Sequence, residues 1–346
     1  MYEPASLLST AVPALRELRV ELLRGCPLMC AHCSAFAAPH HPLALPLRRT
    51  VELISEFAQL GGRRLTLTGG EPLEYRGLDE VVAHTRQEGL ELRMFSSGVI
   101  WDSGVRSSVS EDRLAALLRA EDTLMVSVYS SVPERHDQVT RVRGSFELTM
   151  QTIRAALSLG RRTEVHFVPT RLNVHELPGL VDLVARLGLP RISVLRFVPQ
   201  GRGATGVEGL SLDREGYRAL RHVVLRLRAL YPGVDIALGS AHAFLGLKGC
   251  GPCTAAIDQL VVGADGHVSP CSAFGGYSAP DDHGNVLSES LGEVWQHSVL
   301  LQAVRGAHHA APGCTGCLAQ KALAYGRLDP LDSDPLEVDA IPTKVA

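Results

Sequence analysis

Short apolar stretches alternate with amphipathic segments from residue 16 to residue 198. The apolar stretches are a few residues long and are followed by glycine, serine, cysteine or proline, which is typical of buried strands. The segments between them repeat apolar side chains every three or four positions and stop at glycine, which is typical of helices. The predicted strands are 16–23, 64–68, 90–96, 124–129, 164–168 and 192–198. The predicted helices are 50–60, 78–88, 111–119, 145–159 and 175–187.

This regular alternation predicts an α/β fold built on a parallel sheet with right-handed crossovers. Six strand–helix units are fewer than the eight of a closed barrel, so we expect a partial, open (β/α)6 barrel. In such folds the chemistry lies at the carboxyl ends of the strands. The cysteine-rich segment 24–34 follows the first predicted strand, and segments 69–72 and 97–98 follow the next two. We therefore expect these three segments to meet at one edge of the sheet.

The pattern changes after the sixth strand, which predicts a second and smaller unit. Its predicted elements are a helix at 212–230, a hairpin of strands 257–262 and 267–271 around an Asp-Gly turn, and a helix at 290–304. The tail from Asp329 is rich in aspartate and proline and is expected to lie loosely on the surface. We therefore divide the chain into a barrel of residues 1–232, an extension of residues 233–328 and a loose tail of residues 329–346.

The composition is that of an ordinary globular protein. Hydrophobic residues make up 45% and charged residues 21% of the 346 residues, so a normal buried core is expected. The net charge of −3 gives no electrostatic reason to expect nucleic acid or an anionic membrane as a partner. No run of about 18 apolar residues predicts a membrane-spanning helix, and the N-terminal segment does not resemble a signal peptide. We therefore expect a cytoplasmic protein whose thiols stay reduced.

The eight cysteines fall into two groups separated by a long segment without cysteine, which predicts two metal sites rather than disulfides. The first group, Cys26, Cys30 and Cys33, has C-x3-C-x2-C spacing, and an odd number of neighbouring thiols cannot all pair. Four cysteines are the usual ligands of a cubane iron–sulfur cluster, so three would leave one iron open to a small molecule. The alternative is a structural zinc site completed by a nearby histidine, namely His32, His40 or His41.

The cysteine loop after the first strand, together with Gly69-Gly70-Glu71-Pro72 after the second, resembles the two motifs of radical S-adenosylmethionine (radical SAM) enzymes. The resemblance implies that Cys26, Cys30 and Cys33 bind three irons of a [4Fe–4S] cluster and that the fourth iron holds SAM. It further implies that an electron from the cluster cleaves SAM and that the 5′-deoxyadenosyl radical takes a hydrogen atom from the substrate. A zinc site would leave the Gly-Gly-Glu-Pro segment unexplained.

The same resemblance assigns SAM contacts to residues outside the cysteine loop. Within segment 69–72, Gly69 and Gly70 let the backbone approach the methionine part, and Glu71 with the backbone around Pro72 contacts its ammonium. Ser97 and Ser127 are placed to line the ribose and adenine, although a hydroxyl bonded to local backbone is an equal alternative. His32 stands where the family often has an aromatic residue, so it is expected to pack beside the cluster or SAM.

The rear cysteines resemble the ligands of the SPASM/Twitch extension of this family. They are Cys250, Cys253, Cys271, Cys314 and Cys317. Because no cysteine follows Cys317, the resemblance implies a single auxiliary [4Fe–4S] cluster with all of these cysteines except Cys250 as ligands. The alternative is a four-cysteine zinc site that uses Cys250 and Cys253 with the last pair. Cys250 is then an extra thiol, for which three roles stay open: a substitute ligand, a bystander, or a hydrogen-atom donor to a substrate radical.

The sequence determines the substrate least well. Only 25 residues precede Cys26, too few for a leader-peptide-binding domain, so peptide recognition within this chain is not expected, although a separate recognition protein could supply it. The chain resembles relatives whose barrel is not preceded by a leader-binding domain. This resemblance favours an oxidoreductase or epimerase acting on a small natural-product precursor of aminoglycoside, aminocyclitol or nucleoside type. The alternative is a maturase of a ribosomally made peptide or of a haem-like cofactor, and a remote one is a non-catalytic iron–sulfur or zinc protein. A flavodoxin or ferredoxin is the expected electron donor.

Overall fold

The computed structural model describes residues 12–205, 209–275, 283–311 and 316–336, so the predicted ligand Cys314 lies outside the described residues. The strands are β1 (Glu17–Glu21), β2 (Arg64–Thr68), β3 (Glu91–Ser96), β4 (Val99–Asp102), β5 (Val105–Ser108), β6 (Thr123–Ser127), β7 (Arg162–Phe167), β8 (Arg191–Val194), β9 (Asp235–Leu238), β10 (Gln259–Val262) and β11 (Val268–Ser269). The helices are α1 (Leu47–Gln59), α2 (Leu78–Gln87), α3 (Glu111–Leu117), α4 (Pro133–Thr140), α5 (Ser145–Ser158), α6 (Leu177–Arg186), α7 (Arg202–Thr205), α8 (Arg214–Leu230), α9 (Leu291–His297), α10 (Val299–Ala310) and α11 (Leu318–Tyr325).

One sheet of nine strands, in the order β11-β10-β1-β2-β3-β6-β7-β8-β9, organises the fold. All neighbouring strands are parallel except β10 and β11, which confirms the expected α/β fold with a largely parallel sheet. The six strands predicted for the barrel are β1, β2, β3, β6, β7 and β8. Sequence analysis missed β9 at one edge, and it did not foresee that β10 pairs with β1 at the other.

The predicted hairpin fastens the C-terminal part of the chain to this sheet. β10 and β11 are antiparallel around the Asp265-Gly266 turn, as predicted, and Val261 pairs with Ser269. β10 also runs parallel to β1, and β9 runs parallel to β8. The sheet is therefore continuous across the predicted boundary at 232–233, and the division into two units stays a prediction.

β1 has two chemically different faces, and this difference creates the cavity described below. Leu18 and Val20 are fully buried in the same apolar core as Phe57 of α1. Successive side chains of a strand alternate between faces, so the partly buried Glu17, Arg19 and Glu21 lie on the opposite face. Helices therefore cover one face of the sheet. The opposite face carries the charged side chains of β1, and the cavity of the candidate site lies on that side.

Several local features differ from the predicted elements. The helix predicted at 290–304 is divided into α9 and α10 by Ser298, whose backbone is not helical and whose Oγ accepts a hydrogen bond from Leu301 N at 3.4 Å. Ser298 is therefore the N-cap of α10. The apolar positions of the predicted helix continue past it without a break, so the hydrophobic pattern gave no sign of the division. The antiparallel pair β4 and β5 was not predicted. No α-helix in the described parts of the chain combines the length and apolar composition needed to cross a bilayer.

The tail contacts the rest of the protein through Asp334. Asp334 is 3% exposed, and its carboxylate accepts two hydrogen bonds from the Arg196 guanidinium, at 2.5 and 2.8 Å. The same carboxylate accepts a hydrogen bond from Cys317 N at 3.2 Å. Arg196 also lies 4.6 Å from the centre of the Phe244 ring. Asp334 is therefore anchored, because a buried guanidinium requires a counter-ion. The loose tail of residues 329–346 as a unit stays a prediction.

Replacing Asp334 tests this buried ion pair. Asp334→Ala should lower the free energy of unfolding by about 3–5 kcal/mol, because it leaves the Arg196 guanidinium buried without a counter-charge. Urea unfolding followed by circular dichroism measures the change. Glu52→Ala is the matched control, since it removes an exposed ion pair with Arg48 and should change stability little. An Asp334→Ala protein as stable as the control would contradict the clamping of the tail.

Candidate active site

Three thiols of the cysteine loop, those of Cys26, Cys30 and Cys33, line one cavity of about 560 Å³ at the carboxyl ends of the central strands. Backbone hydrogen bonds hold the loop in place. Cys26 N donates to Ala38 O at 3.0 Å, and Ala31 N donates to Val139 O at 2.9 Å. The loop is therefore held from both sides by backbone rather than by its own side chains, and its thiols remain facing the cavity.

Arg202 is a second clamp on this loop, which sequence analysis missed. Its Nε donates to Cys30 O at 2.9 Å, and its Nη2 donates to Ala37 O at 2.8 Å. The side chain is buried, and its own backbone N–H donates to Cys33 O at 2.9 Å. At Gly201 an added Cβ would lie 2.2 Å from Ser34 O, so only glycine allows this approach. The available signal was a single arginine within a glycine-rich bend after the last barrel strand.

The three thiols fit an iron–sulfur cluster in their chemistry. Burial raises the pKa of Cys30 to about 12, and burial followed by the neighbouring Cys30 raises the pKa of Cys26 well above its usual value. Thiols crowded in an apolar environment ionise only when a metal shares their charge, and soft thiolates suit iron–sulfur clusters. Among the described residues, no three His, Cys, Asp or Glu side chains converge as ligands of a single metal ion would.

The Gly-Gly-Glu-Pro segment packs directly on the cysteine loop. Gly70 N donates to Leu23 O at 2.6 Å, and Glu71 N donates to Gly25 O at 2.8 Å. A Cβ at Gly70 would lie 2.0 Å from Gly25 O, so any other residue would separate the two loops. Gly69 and Gly70 both line the cavity. The close approach seen here is to the loop backbone, and the predicted approach to SAM stays a prediction.

Glu71 joins the end of β2 to the end of β3. Its fully buried carboxylate accepts hydrogen bonds from Ser97 Oγ at 2.6 Å, Ser97 N at 2.8 Å, Ser96 Oγ at 2.8 Å and Leu73 N at 3.3 Å. Burial raises the pKa of Glu71 to about 7, although the hydrogen bonds from Ser97 oppose the shift. Neither Glu71 nor Pro72 is among the residues that line the cavity. The predicted contact of this carboxylate with the SAM ammonium would have to compete with four existing hydrogen bonds.

The remaining residues predicted to contact SAM also line the cavity, namely Ser97, Ser127 and His32. The His32 ring meets the Tyr129 ring edge-on, with centroids 4.6 Å apart. Burial, followed by the charge of Arg202, lowers the pKa of His32 to about 4, so the imidazole is neutral at pH 7. Sequence analysis missed Tyr129, whose buried ring lies beside Cys30 and lines the same cavity. An aromatic residue just beyond a barrel strand was its signal.

The rear cysteines reach the same cavity. Cys271 and Cys317 line it beside the cysteine loop, and burial followed by the proximity of Cys317 and Cys253 raises the pKa of Cys271 to about 12. Three of the four predicted auxiliary ligands therefore lie together, and Cys314 is outside the described residues. Cys250 does not line this cavity, so the predicted role as a hydrogen-atom donor gains no support from the residues of the cavity wall.

Replacing Glu71 tests its role as a tie between β2 and β3. Glu71→Ala should lower the free energy of unfolding by about 2–4 kcal/mol, because buried donors at Ser96 and Ser97 lose their acceptor. Thermal and urea unfolding measure the change. Glu80→Ala, at an exposed position of the following helix, is the control and should be nearly neutral. If the two variants were equally stable, Glu71 would not hold the strand ends together.

Two family models match the chain. The Radical SAM superfamily matches residues 20–184, and the SPASM iron–sulfur cluster-binding domain matches residues 253–318. Together they include the front cysteine loop, the Gly-Gly-Glu-Pro segment and the rear cysteines from Cys253 to Cys317.

Similar proteins include a PqqA peptide cyclase of Methylocella silvestris, 28% identical over 89% of this chain and 81% of that protein. An AdoMet-dependent heme synthase of Methanosarcina barkeri is 25% identical over 93% of this chain and 96% of that protein. Among solved structures, Streptococcus suis SuiB bound to S-adenosylmethionine has a TM-score of 0.71 and 18% identity, covering 92% of this chain and 76% of that chain. The chain belongs to the radical SAM superfamily and carries a SPASM iron–sulfur domain at its C-terminal side.

Proposed function

We propose that this radical SAM enzyme modifies a peptide by abstracting a hydrogen atom from one of its carbon atoms. The observation that carries the proposal is the shared cavity, since Cys30 and Cys33 of the front loop and Cys271 and Cys317 of the rear group line one space of about 560 Å³. A cavity of this size is within the range of small-molecule and cofactor sites.

The similar proteins support a peptide substrate. The Methylocella silvestris relative is named for a peptide, and this chain spans 81% of its length. Streptococcus suis SuiB, solved bound to its precursor peptide SuiA, has a TM-score of 0.71 to this chain. These likenesses favour the peptide alternative over the aminoglycoside, aminocyclitol or nucleoside precursor expected first. The predicted reaction type, oxidation or epimerisation, stays a prediction.

A haem-related substrate is the second candidate. It is favoured by the Methanosarcina barkeri heme synthase, because the alignment includes 96% of that protein. The peptide candidate ranks first because its relatives reach slightly higher identity and because a solved neighbour binds a peptide.

The chain's own residues prepare the site for this chemistry. When bound, the front cluster and SAM supply the radical that removes a substrate hydrogen atom. Cys26, Cys30 and Cys33 would hold that cluster, while Arg202 and Gly70 fix the loop that carries them. Cys253, Cys271 and Cys317, together with Cys314 outside the described residues, would hold the auxiliary cluster.

Reconstitution with iron and sulfide under strict exclusion of oxygen tests both cluster assignments. Wild-type protein should bind about eight irons and, with a strong reductant, convert SAM into 5′-deoxyadenosine. Cys30→Ser should bind about four irons and lose SAM cleavage. Cys271→Ser should also bind about four irons but keep SAM cleavage, because the front loop is intact. Iron content near four in the wild-type protein would contradict two clusters, and absence of 5′-deoxyadenosine would contradict the enzyme assignment.

Product analysis tests the substrate class separately. Candidate precursor peptides encoded beside the gene are incubated with the reduced enzyme and SAM, then analysed by mass spectrometry. The proposal expects a modified peptide, formed with 5′-deoxyadenosine and absent with Cys30→Ser. Conversion of a haem precursor with no change in any peptide would replace the first candidate by the second.

A further inference from the structure

A second cavity of about 400 Å³ adjoins the first. It lies between the cysteine loop, the bend at Gln200 and the β10–β11 hairpin. Its polar and aromatic lining includes Glu21, Arg24, Phe36, Asp265, His267 and Ser269. Glu21, Ser34, Gln200 and Cys271 line both cavities, so the two spaces are adjacent. A substrate in the first cavity would therefore lie close to the second.

Glu21 stands at the junction of the two cavities with its carboxylate uncommitted. Within the described residues it accepts no hydrogen bond and has no cation within 4.0 Å. The two nearest arginines have other partners, since Arg24 Nη2 lies 3.0 Å from Asp265 Oδ2 and Arg19 Nη2 lies 3.6 Å from Glu17 Oε1. Burial raises the pKa of Glu21, and the charges of Arg24 and Arg19 oppose the shift. The partly buried carboxylate thus lacks the directly bonded partner that a charge removed from water would be expected to have.

Phe36 gives the second cavity an aromatic wall. The side chain, two residues after the cysteine loop, is 48% exposed. Its φ angle of 56° lies in the left-handed region, which a bulky side chain rarely adopts. Strain of this kind persists where the surrounding structure enforces it, and it is concentrated at binding sites. An exposed aromatic face beside a carboxylate suits a ligand that is apolar along its length and cationic at its end.

The charges around the second cavity favour the same type of ligand. Arg24 and Asp265 neutralise each other, and His267 Nδ1 lies 3.5 Å from Asp265 Oδ1. Glu21 is then the one lining group whose charge is not balanced among the described residues of this cavity. An ammonium or guanidinium would supply both the missing charge and hydrogen-bond donors.

Building on the proposed peptide function, we propose that the second cavity is a substrate subsite for a lysine or arginine side chain next to the modified residue. Glu21 is its specificity-determining residue, and Phe36 packs along the aliphatic stem of the basic side chain. The subsite explains why a charged residue ends β1 at the point where the SAM cavity opens. It also links the chemistry at the front loop to the choice of substrate sequence.

Selection from a peptide library tests the subsite. Immobilised anaerobic holoenzyme with SAM is incubated with a fully randomised, N-acetylated and C-amidated octapeptide library, and the retained peptides are sequenced by mass spectrometry. Wild-type protein should enrich lysine or arginine at one position. Glu21→Gln should reduce this enrichment roughly tenfold to a hundredfold, the amount expected for loss of a hydrogen bond to a charged group. Glu21→Lys should shift the preference to aspartate or glutamate.

Glu17→Gln is the matched control. Glu17 lies on the same face of β1 and changes the net charge equally, but it lines neither cavity and pairs with Arg64 and Arg19. It should keep the basic preference, which separates a specific subsite from general attraction of cations. Iron content and circular dichroism check that each variant is loaded and folded, and Glu21→Gln suffices if Glu21→Lys does not fold.

The outcomes separate this inference from the proposed function. Retained peptides without a basic preference, or a preference that survives Glu21→Gln, would overturn the subsite and leave a peptide substrate standing. If wild-type holoenzyme retained no peptide above the level of the unloaded matrix, both the subsite and the peptide class would be overturned. Neither result would bear on SAM cleavage, which is tested separately by measuring 5′-deoxyadenosine.

Discussion

The contact between the Gly69-Gly70 turn and the backbone of Leu23 and Gly25 is the constraint on which the site depends. A side chain at Gly70 would have to occupy a position 2.0 Å from a carbonyl oxygen, so the loops after β1 and β2 approach only because this residue is glycine. Glu71 then connects the same turn to β3, and Arg202 closes the cysteine loop from the far side. Three neighbouring strand ends and one bend therefore fix the three thiols together.

The two faces of the sheet differ in the side chains that they carry. Apolar residues such as Leu18 face the helices, whereas Arg19 and Glu21 of the same strand face the cavities. Rear cysteines reach this space because β10 pairs with β1, which brings the C-terminal part of the chain next to the front loop. The tail supports the same junction, since Asp334 binds both Arg196 beside the cavity and the backbone of Cys317. Both groups of cysteines thus lie beside one continuous sheet.

Local patterns in the sequence predicted most of the barrel and the identity of its cofactor motifs. Strands such as β2 and β6 are short apolar runs, and the cysteine spacing and Gly-Gly-Glu-Pro segment are contiguous, so both are visible without a structure. Features that depend on distant parts of the chain were missed. The Arg196–Asp334 pair joins residues 138 positions apart, and nothing in the local sequence around Asp334 distinguishes a buried aspartate from an exposed one. The pairing of β10 with β1 and the carboxylate of Glu21 at the cavity junction are hidden for the same reason.

Electron paramagnetic resonance of single-cluster variants is the most direct test of the central claim, that the front loop alone holds the SAM-binding cluster. Reduced Cys271→Ser protein should keep only the front cluster, and adding SAM should change its spectrum because SAM occupies the open iron. Reduced Cys30→Ser protein should keep only the auxiliary cluster, and its spectrum should not change with SAM. A spectrum that responds to SAM in the Cys30→Ser protein, or fails to respond in the Cys271→Ser protein, would contradict the account.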